Sequence, residues 1–323
     1  MLMAKSKDIL INGQVVKKGE KAIIDIPVAR LPSGTMINIP VHVYRGEEDG
    51  PRLLLLAGLH GDEINGVETI RRMIKSSWVV PKKGSVICIP ILNIFGFINY
   101  AREVPDGKDV NRSFPGSPRG SLAGRVAHMF MKEIFPNIDY GLDFHTGGKS
   151  RANYPQIRCL TSYKENLDLA KAFGAPVILN SKLRDQSLRK SATLLGKPIL
   201  VFEGGESHRF DELSIKTGID GAKRVMQLLQ MRDFGLSSPS SLLLSTSSWI
   251  RAKRSGLFRS KIQLGDHIKK NQVIGYICDA FGQEEIVMKT RKDGVVIGLN
   301  NNPVISQGDA LVHLGIVDSK NQE

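Results

Sequence analysis

The chain has 323 residues, of which 41% are hydrophobic and 24% charged, and a formal net charge of +13. This is the composition of a soluble globular protein long enough for a large core and two domains. No apolar run approaches the roughly 20 residues that span a bilayer, and the N-terminal MLMAKSKDIL has neither an apolar h-region nor a small-residue cleavage site, so neither a membrane span nor a secretory signal is expected.

The cysteines Cys88, Cys159 and Cys278 are odd in number and far apart. They read as reduced thiols in a cytoplasmic protein, not as a disulfide framework. The positive charge raises nucleic acid or an acidic membrane as partners. The Lys and Arg residues are scattered, however, with only small clusters such as Arg251, Lys253 and Arg254. A solvated surface is the better reading, with no nucleic-acid or membrane partner; the field would still draw an anionic substrate to a cleft.

In chain order, residues 22–45 alternate apolar and polar positions around Leu31-Pro32-Ser33-Gly34, a hairpin signal. Residues 53–56 form an apolar run bounded by Pro51 and Gly58, expected to be a buried strand. It feeds AGLHGDEING (57–66), where Gly58 and Gly61 flank His60 and suggest a tight turn with the backbone close to a ligand. Asn65–Lys75 has helical periodicity, and 85–91 reads as a strand. Residues 102–116, REVPDGKDVNRSFPG, read as a loop. Helices are expected over 122–135 and 166–173. Residues 140–144 form a strand that runs into His145, and Thr146-Gly147-Gly148 reads as a loop. Residues 199–202 are a strand with Glu203 at its carboxyl end, and 219–231 a further helix. Strands alternating with helices predict a mainly parallel sheet flanked by helices. Residues 235–248, GLSSPSSLLLSTSS, have the character of a linker or domain edge, and short glycine-punctuated β segments follow.

Strand ends in open α/β sheets are where ligands and catalytic groups collect. His60, Glu63 and His145 all fall there. Two imidazoles and one carboxylate around a cation leave a fourth tetrahedral position, which is how catalytic zinc sites are built. Asn111 and Arg112 place an amide beside a guanidinium, suited to two-pronged recognition of a carboxylate. Glu203 is a candidate general base, with Glu206 as a competitor three residues on and His208 near enough to border the cleft.

The phrases GLHGDEINGVET, PDGKDVNRSFPG, DFHTGG and FEGGE, in this order, resemble the succinylglutamate desuccinylase/aspartoacylase family within the wider zinc carboxypeptidase superfamily. The resemblance runs from about Ala22 to the C-terminus. It implies that His60, Glu63 and His145 hold one zinc ion and that Glu203 is the general base. It implies further that Asn111 and Arg112 hold the carboxylate of an amino-acid substrate. Arg102 is similar to the family Arg that polarises the scissile carbonyl, although its spacing from Arg112 differs from that of aspartoacylase. Arg189 is the nearest match to a further substrate-binding Arg, again with altered spacing. The segments SGLF, LGDHIKKNQVIGYI, KDGVVIG and ISQGDALVHL resemble a biotinyl/lipoyl-like β-sandwich. Lys289 follows Met288 only five residues before Gly294, so no biotin or lipoyl attachment is expected.

The expected architecture is therefore an α/β, zinc-carboxypeptidase-like domain over residues 1–238, built on a mixed, mostly parallel sheet flanked by helices, and a smaller all-β domain over 239–323. The expected function is zinc-dependent hydrolysis of the amide bond of a small N-acyl amino acid, with homo-oligomerisation left open. The rivals are a zinc carboxypeptidase or amidase acting on a small peptide, and a non-catalytic protein that retains the fold.

Overall fold

The computed structural model describes residues 8–316. In chain order the first ten strands are Ile9–Ile11 (β1), Gln14–Val16 (β2), Lys21–Arg30 (β3), Met36–Arg45 (β4), Glu48–Leu56 (β5), Lys83–Ile89 (β6), Tyr140–Gly147 (β7), Arg151–Cys159 (β8), Val177–Asn180 (β9) and Ile199–Glu206 (β10). Nine more follow: Leu242–Leu244 (β11), Thr246–Arg251 (β12), Gly256–Ser260 (β13), His267–Ile268 (β14), Val273–Cys278 (β15), Glu285–Lys289 (β16), Gly294–Asn300 (β17), Val304–Ile305 (β18) and Ala310–Ile316 (β19). The α-helices are Asn65–Lys75 (α1), Ile94–Ile98 (α2), Leu122–Met129 (α3), Lys164–Phe173 (α4), Leu188–Leu194 (α5) and Glu212–Leu228 (α6).

Thirteen strands share one sheet along the path β12-β19-β17-β8-β10-β7-β5-β6-β4-β3, with β9, β11 and β14 attached beside it. Its centre, β6-β5-β7-β10, is parallel. Both flanks are antiparallel, through β3-β4-β6 on one side and β10-β8-β17-β19 on the other. The sheet is thus mixed, as expected, but its antiparallel pairings outnumber the parallel ones. Parallel strands need long crossovers, which the helices supply at the centre and, through α4, between β8 and β9. The long hairpin of β3 and β4 turns tightly, with the Leu31 N–H donating to the Thr35 carbonyl at 2.8 Å.

The centre explains the apolar run of β5. Leu53, Leu54, Leu55 and Leu56 are all fully buried. Successive side chains point to opposite faces of a strand. Leu54 and Leu56 join the core with Val126 and Phe130, whereas Leu53 and Leu55 join the core with Ile70, Met73, Leu169 and Ile215. Helices cover both faces, so neither can be polar.

Two expected boundaries differ. Helix α6 begins at Glu212, seven residues before the expected start, because the Asp211 side chain accepts from the Ser214 N–H at 2.7 Å and caps it. The linker expected over 235–248 holds strand β11 and the start of β12. Leu242–Leu244 pairs in parallel with Val177–Leu179, and the flanking Ser238 and Ser241 hydroxyls donate to the Ala172 and Ala175 carbonyls at 3.0 and 2.6 Å. Serines that look like linker composition pin the chain to α4 and the loop after it. Beyond β12, a second sheet of order β16-β15-β13-β18 packs with β17 and β19 around Phe258, Ile274, Ile277 and Leu311. No helix among the described residues is long and apolar enough to cross a membrane.

Helices α1 and α6 are tied together behind the site. Glu68, in the first turn of α1 and only 8% exposed, accepts from Arg71 Nε at 2.6 Å and Arg72 Nε at 2.7 Å, and Arg72 also reaches Glu212 at 2.6 Å. The Arg71 bond, opposed by burial and reinforced by Arg72, pushes the Glu68 carboxyl down to about 2. An unfolded Glu titrates near ~4.3, so this contribution is full above that pH and is lost as pH falls through the folded value. Glu68→Gln should cost about 1–2 kcal/mol at pH 7, and chemical denaturation should show the difference narrowing as pH is lowered from 5 toward 3.

Candidate active site

Strand β5 delivers the chain at the carboxyl end of the sheet, and residues 57–64 turn there before α1. Gly61 is required at this turn for a reason other than a ligand. A Cβ built on it would lie 1.9 Å from the Gly96 carbonyl carbon, so the loop runs against the backbone of α2. Asn65 then ties the turn to β10, donating to the Gly204 carbonyl at 3.3 Å and accepting from the Asp211 N–H at 3.0 Å.

His60, Glu63 and His145 converge and are 3%, 2% and 5% exposed. His60 Nδ1 lies 2.8 Å from Glu63 Oε1, His145 Nδ1 lies 2.8 Å from Glu63 Oε2, and the two Nδ1 atoms are 3.2 Å apart. One donor atom from each residue falls within 4.8 Å of the others, a grouping that can hold a metal ion. His145 is part of β7, which continues through Gly147 instead of ending at Phe144. The outer nitrogens face carboxylates: His60 Nε2 is 3.1 Å from Asp109 Oδ1, and His145 Nε2 is 2.9 Å from Asp143 Oδ2. The second contact lacks hydrogen-bond alignment, which leaves His145 Nε2 and both Asp143 oxygens buried without a hydrogen-bond partner. Carboxylates behind imidazoles fix the ring orientation and leave the inner nitrogens to a cation.

The electrostatics agree. Burial works to lower the His60 and His145 values, yet Glu63 with Asp109, and Asp143 with Glu63, hold His60 above and His145 well above the ordinary histidine range. Burial works to raise Glu63, and the two imidazoles hold it well below the carboxylate range. Positive charge is thus favoured where the donors meet, the place a divalent cation would occupy.

Around this group lies a cavity of about 290 Å³, lined by Arg102, Asn111, Arg112, Arg189 and Glu203 as well as by His60, Glu63 and His145. The expected metal, carboxylate-binding and base residues therefore reach one pocket, whereas Glu206 and His208 are not in its lining. Their partners refine the picture. Arg102 donates to Glu63 Oε1 at 3.0 Å and to Asp109 Oδ2 at 2.9 Å. Asp109 also accepts from the Asn111 N–H at 2.7 Å, starting a single 3-10 turn over Val110–Arg112. Asn111 Oδ1 accepts from the Leu188 N–H at 3.0 Å at the start of α5, so only its amide NH2 is left for a ligand. Arg112 is exposed and donates to its neighbour's carbonyl at 2.7 Å. Arg189 is 9% exposed; its Nη2 donates to the Lys182 carbonyl at 2.7 Å, and its Nη1 is buried without a hydrogen-bond partner.

Glu203 and Glu206 separate cleanly. Strand β10 continues to Glu206, with a register shift after Glu203 against both neighbours. Glu203 lines the cavity, where it meets Asn153 and Arg158. Glu206 is 7% exposed and accepts from Asn301 Nδ2 at 2.8 Å outside the cavity lining. His208 lies 4.0 Å from Asp62, is half exposed and is not in the cavity lining. Sequence reasoning missed Asp109, Asp143, Asn153, Arg158 and Trp249. Asp143 was findable, being two residues before His145 and hence on the same strand face. Strand β8, which carries Asn153 and Arg158, contains Pro155 and has no clean alternation to announce it.

The sequence model of the succinylglutamate desuccinylase/aspartoacylase catalytic domain matches residues 49–229. The chain is 28% identical over 295 residues to an N-alpha-acetyl-L-2,4-diaminobutyric acid deacetylase from Halomonas elongata, covering 85% of this chain and 84% of that one. Among solved structures, a succinylglutamate desuccinylase/aspartoacylase from Rhodobacter sphaeroides superposes with a TM-score of 0.79 at 25% identity, covering 93% of this chain and 97% of that one. The product-bound ectoine utilization protein EutE (DoeB) from Ruegeria pomeroyi shares the fold, with a TM-score of 0.84 at 22% identity and coverage of 97% and 100%. The His-Glu-His group, the pocket around it and a match over more than half the chain lead to one conclusion: the protein belongs to the succinylglutamate desuccinylase/aspartoacylase family.

Proposed function

We propose that the protein is a zinc-dependent deacylase that hydrolyses the amide bond of a small N-acyl amino acid. The observation that carries this reading is the convergence of His60, Glu63 and His145 beside Glu203 in one arginine-lined cavity. Six arginines line it against three carboxylates, Glu63, Asp143 and Glu203, a balance that favours an anionic substrate. The names of the relatives, a deacetylase of an N-acetylated amino acid and a desuccinylase, point to the same bond. The reading includes a zinc-carboxypeptidase-like core over 1–238, a biotinyl/lipoyl-like sandwich over 239–323 and a cytoplasmic location.

Zinc suits two imidazoles and a carboxylate, and when bound there it would supply a Lewis acid that acidifies water and polarises an acyl carbonyl. His60 and His145 would offer Nδ1 and Glu63 a carboxylate oxygen. Glu203 takes the proton of the attacking water and passes it to the amine nitrogen as the C–N bond breaks. Arg102 adds positive charge beside the carbonyl oxygen, where negative charge develops. The Asn111 amide and the Arg112 and Arg189 guanidiniums hold the substrate carboxylate, so that the attack is effectively intramolecular. The products are a carboxylic acid and an amino acid.

A panel of N-acetyl and N-succinyl amino acids with a short peptide as control, assayed with zinc content in parallel, should show turnover of the acyl amino acids and about one zinc per chain. His60→Ala and His145→Ala should each lose the metal by elemental analysis while the melting temperature moves little, since a catalytic site adds less to stability than a structural one. Stoichiometric metal in both variants would overturn the ligand assignment.

Glu203→Gln should keep metal and KM and lose about 10²–10⁴ in kcat, whereas Glu206→Gln should retain most of its turnover. The reverse pattern would exchange their roles. Arg112→Lys keeps charge and loses the planar fork, so kcat/KM should fall about tenfold or more on carboxylate substrates, and by much less on the corresponding amides. Equal losses on acid and amide would assign Arg112 to the fold.

A further inference from the structure

Each oxygen of the Glu203 carboxylate is held. Asn153 Nδ2 donates to Oε2 at 2.8 Å, and Arg158 Nη1 reaches Oε1 at 3.1 Å. Both donors come from β8, which runs antiparallel to β10 and pairs Gln156 with Glu203 and Asn153 with Gly205. The other edge of β8 is divided. Its residues Gln156, Ile157, Arg158 and Cys159 pair with β9, and Arg151, Ala152 and Asn153 pair with the C-terminal strand β17.

That division places β17 directly beside Asn153 and β9 beside Arg158, which β17 reaches through Gln156. Asn153 sits opposite Gly298, and a Cβ built on Gly298 would lie 3.1 Å from Asn153 Oδ1. Gln156, fully buried, donates to the Ile297 carbonyl at 2.9 Å, and its Oε1 accepts from Arg158 Nε at 3.4 Å. Asn153 is 6% exposed, so its amide has few alternatives to this arrangement.

We propose that Asn153 is a positioning residue for Glu203, and that the C-terminal strand β17 sets it through Gly298 on one side and Gln156–Arg158 on the other. The C-terminal strands then serve the reaction by fixing the carboxylate. This rests on the reading of Glu203 as general base. A base must sit within hydrogen-bond reach of the proton it takes, and a misplacement of about 1 Å costs on the order of 100-fold in rate. A glutamate has several rotatable bonds and needs outside donors to hold one pose.

Asn153→Asp keeps the shape of the side chain and replaces the donor with a charge that repels Glu203. Its crystal structure should show the Glu203 carboxylate displaced by about 1 Å or more. With the best N-acetyl or N-succinyl amino acid of the panel, kcat should fall about 10- to 100-fold with KM within about twofold, zinc content and melting temperature staying near those of the parent. Gly298→Ala, which presses on Asn153 from β17, should move kcat in the same direction and serves as the second variant if Asn153→Asp folds poorly. An unmoved Glu203 with turnover within about twofold of the parent would overturn the inference, as would a loss of kcat that only tracks a fall in melting temperature. A fully active Glu203→Gln would instead sink the general-base reading. An inactive Glu203→Gln beside a fully active Asn153→Asp would sink the positioning role alone.

Discussion

Leu56 pairs with Asp143, and His145 pairs with Glu203, in a parallel register shared by β5, β7 and β10. This register sets the site. It ends β5 level with Asp143 while β7 and β10 run on side by side to Gly147 and Glu206, so that the turn carrying His60 and Glu63, His145 on β7 and the candidate base on β10 open onto one cavity. A slip of one residue in β7 would turn Asp143 and His145 to the opposite face and bring Leu142 and Phe144 to the cleft. The apolar packing of both sheet faces guards against that slip. Phe144 and Leu142 are buried against the α1–α4–α6 layer, which has no place for an imidazole.

The register also creates an electrostatic problem that the site turns to use. Glu63 is held in a nearly water-free place, where an unpaired carboxylate is costly. Two imidazoles, the Thr146 N–H at 3.1 Å and Arg102 answer it. Asp109 in turn serves His60, Arg102 and the turn that presents Asn111 and Arg112. A single aspartate thus joins the candidate metal group to the candidate carboxylate-binding pair, and a change there would be felt at both.

Five of the C-terminal strands, β11, β12, β14, β17 and β19, are part of the same sheet. Through β17 on β8 and β11 on β9, hydrogen bonding runs unbroken past residue 238. Trp249 on β12 reaches the cavity wall, stacked on His313 with ring centroids 4.5 Å apart and with the Arg151 guanidinium 5.7 Å from its ring. His313 is driven down to about 3 by burial and by Arg158, and so stacks as a neutral ring. The pocket is closed on this side by residues more than a hundred positions beyond His145.

The sequence by itself determined the pieces that local chemistry can announce. Apolar runs bounded by proline and glycine marked the central strands, the 3.6-residue period marked Asn65–Lys75, and strand-end His60, Glu63, His145 and Glu203 marked the candidate chemistry, because side-chain type and placement at a strand end are local properties. The antiparallel majority of the sheet and the strand hidden in a serine-rich stretch were decided by pairing partners far away in the chain. So were the different surroundings of Glu203 and Glu206, which lie three positions apart and meet different partners, Asn153 and Asn301. Local pattern fixes which groups are available; only the register of one strand on another decides which of them face the same water.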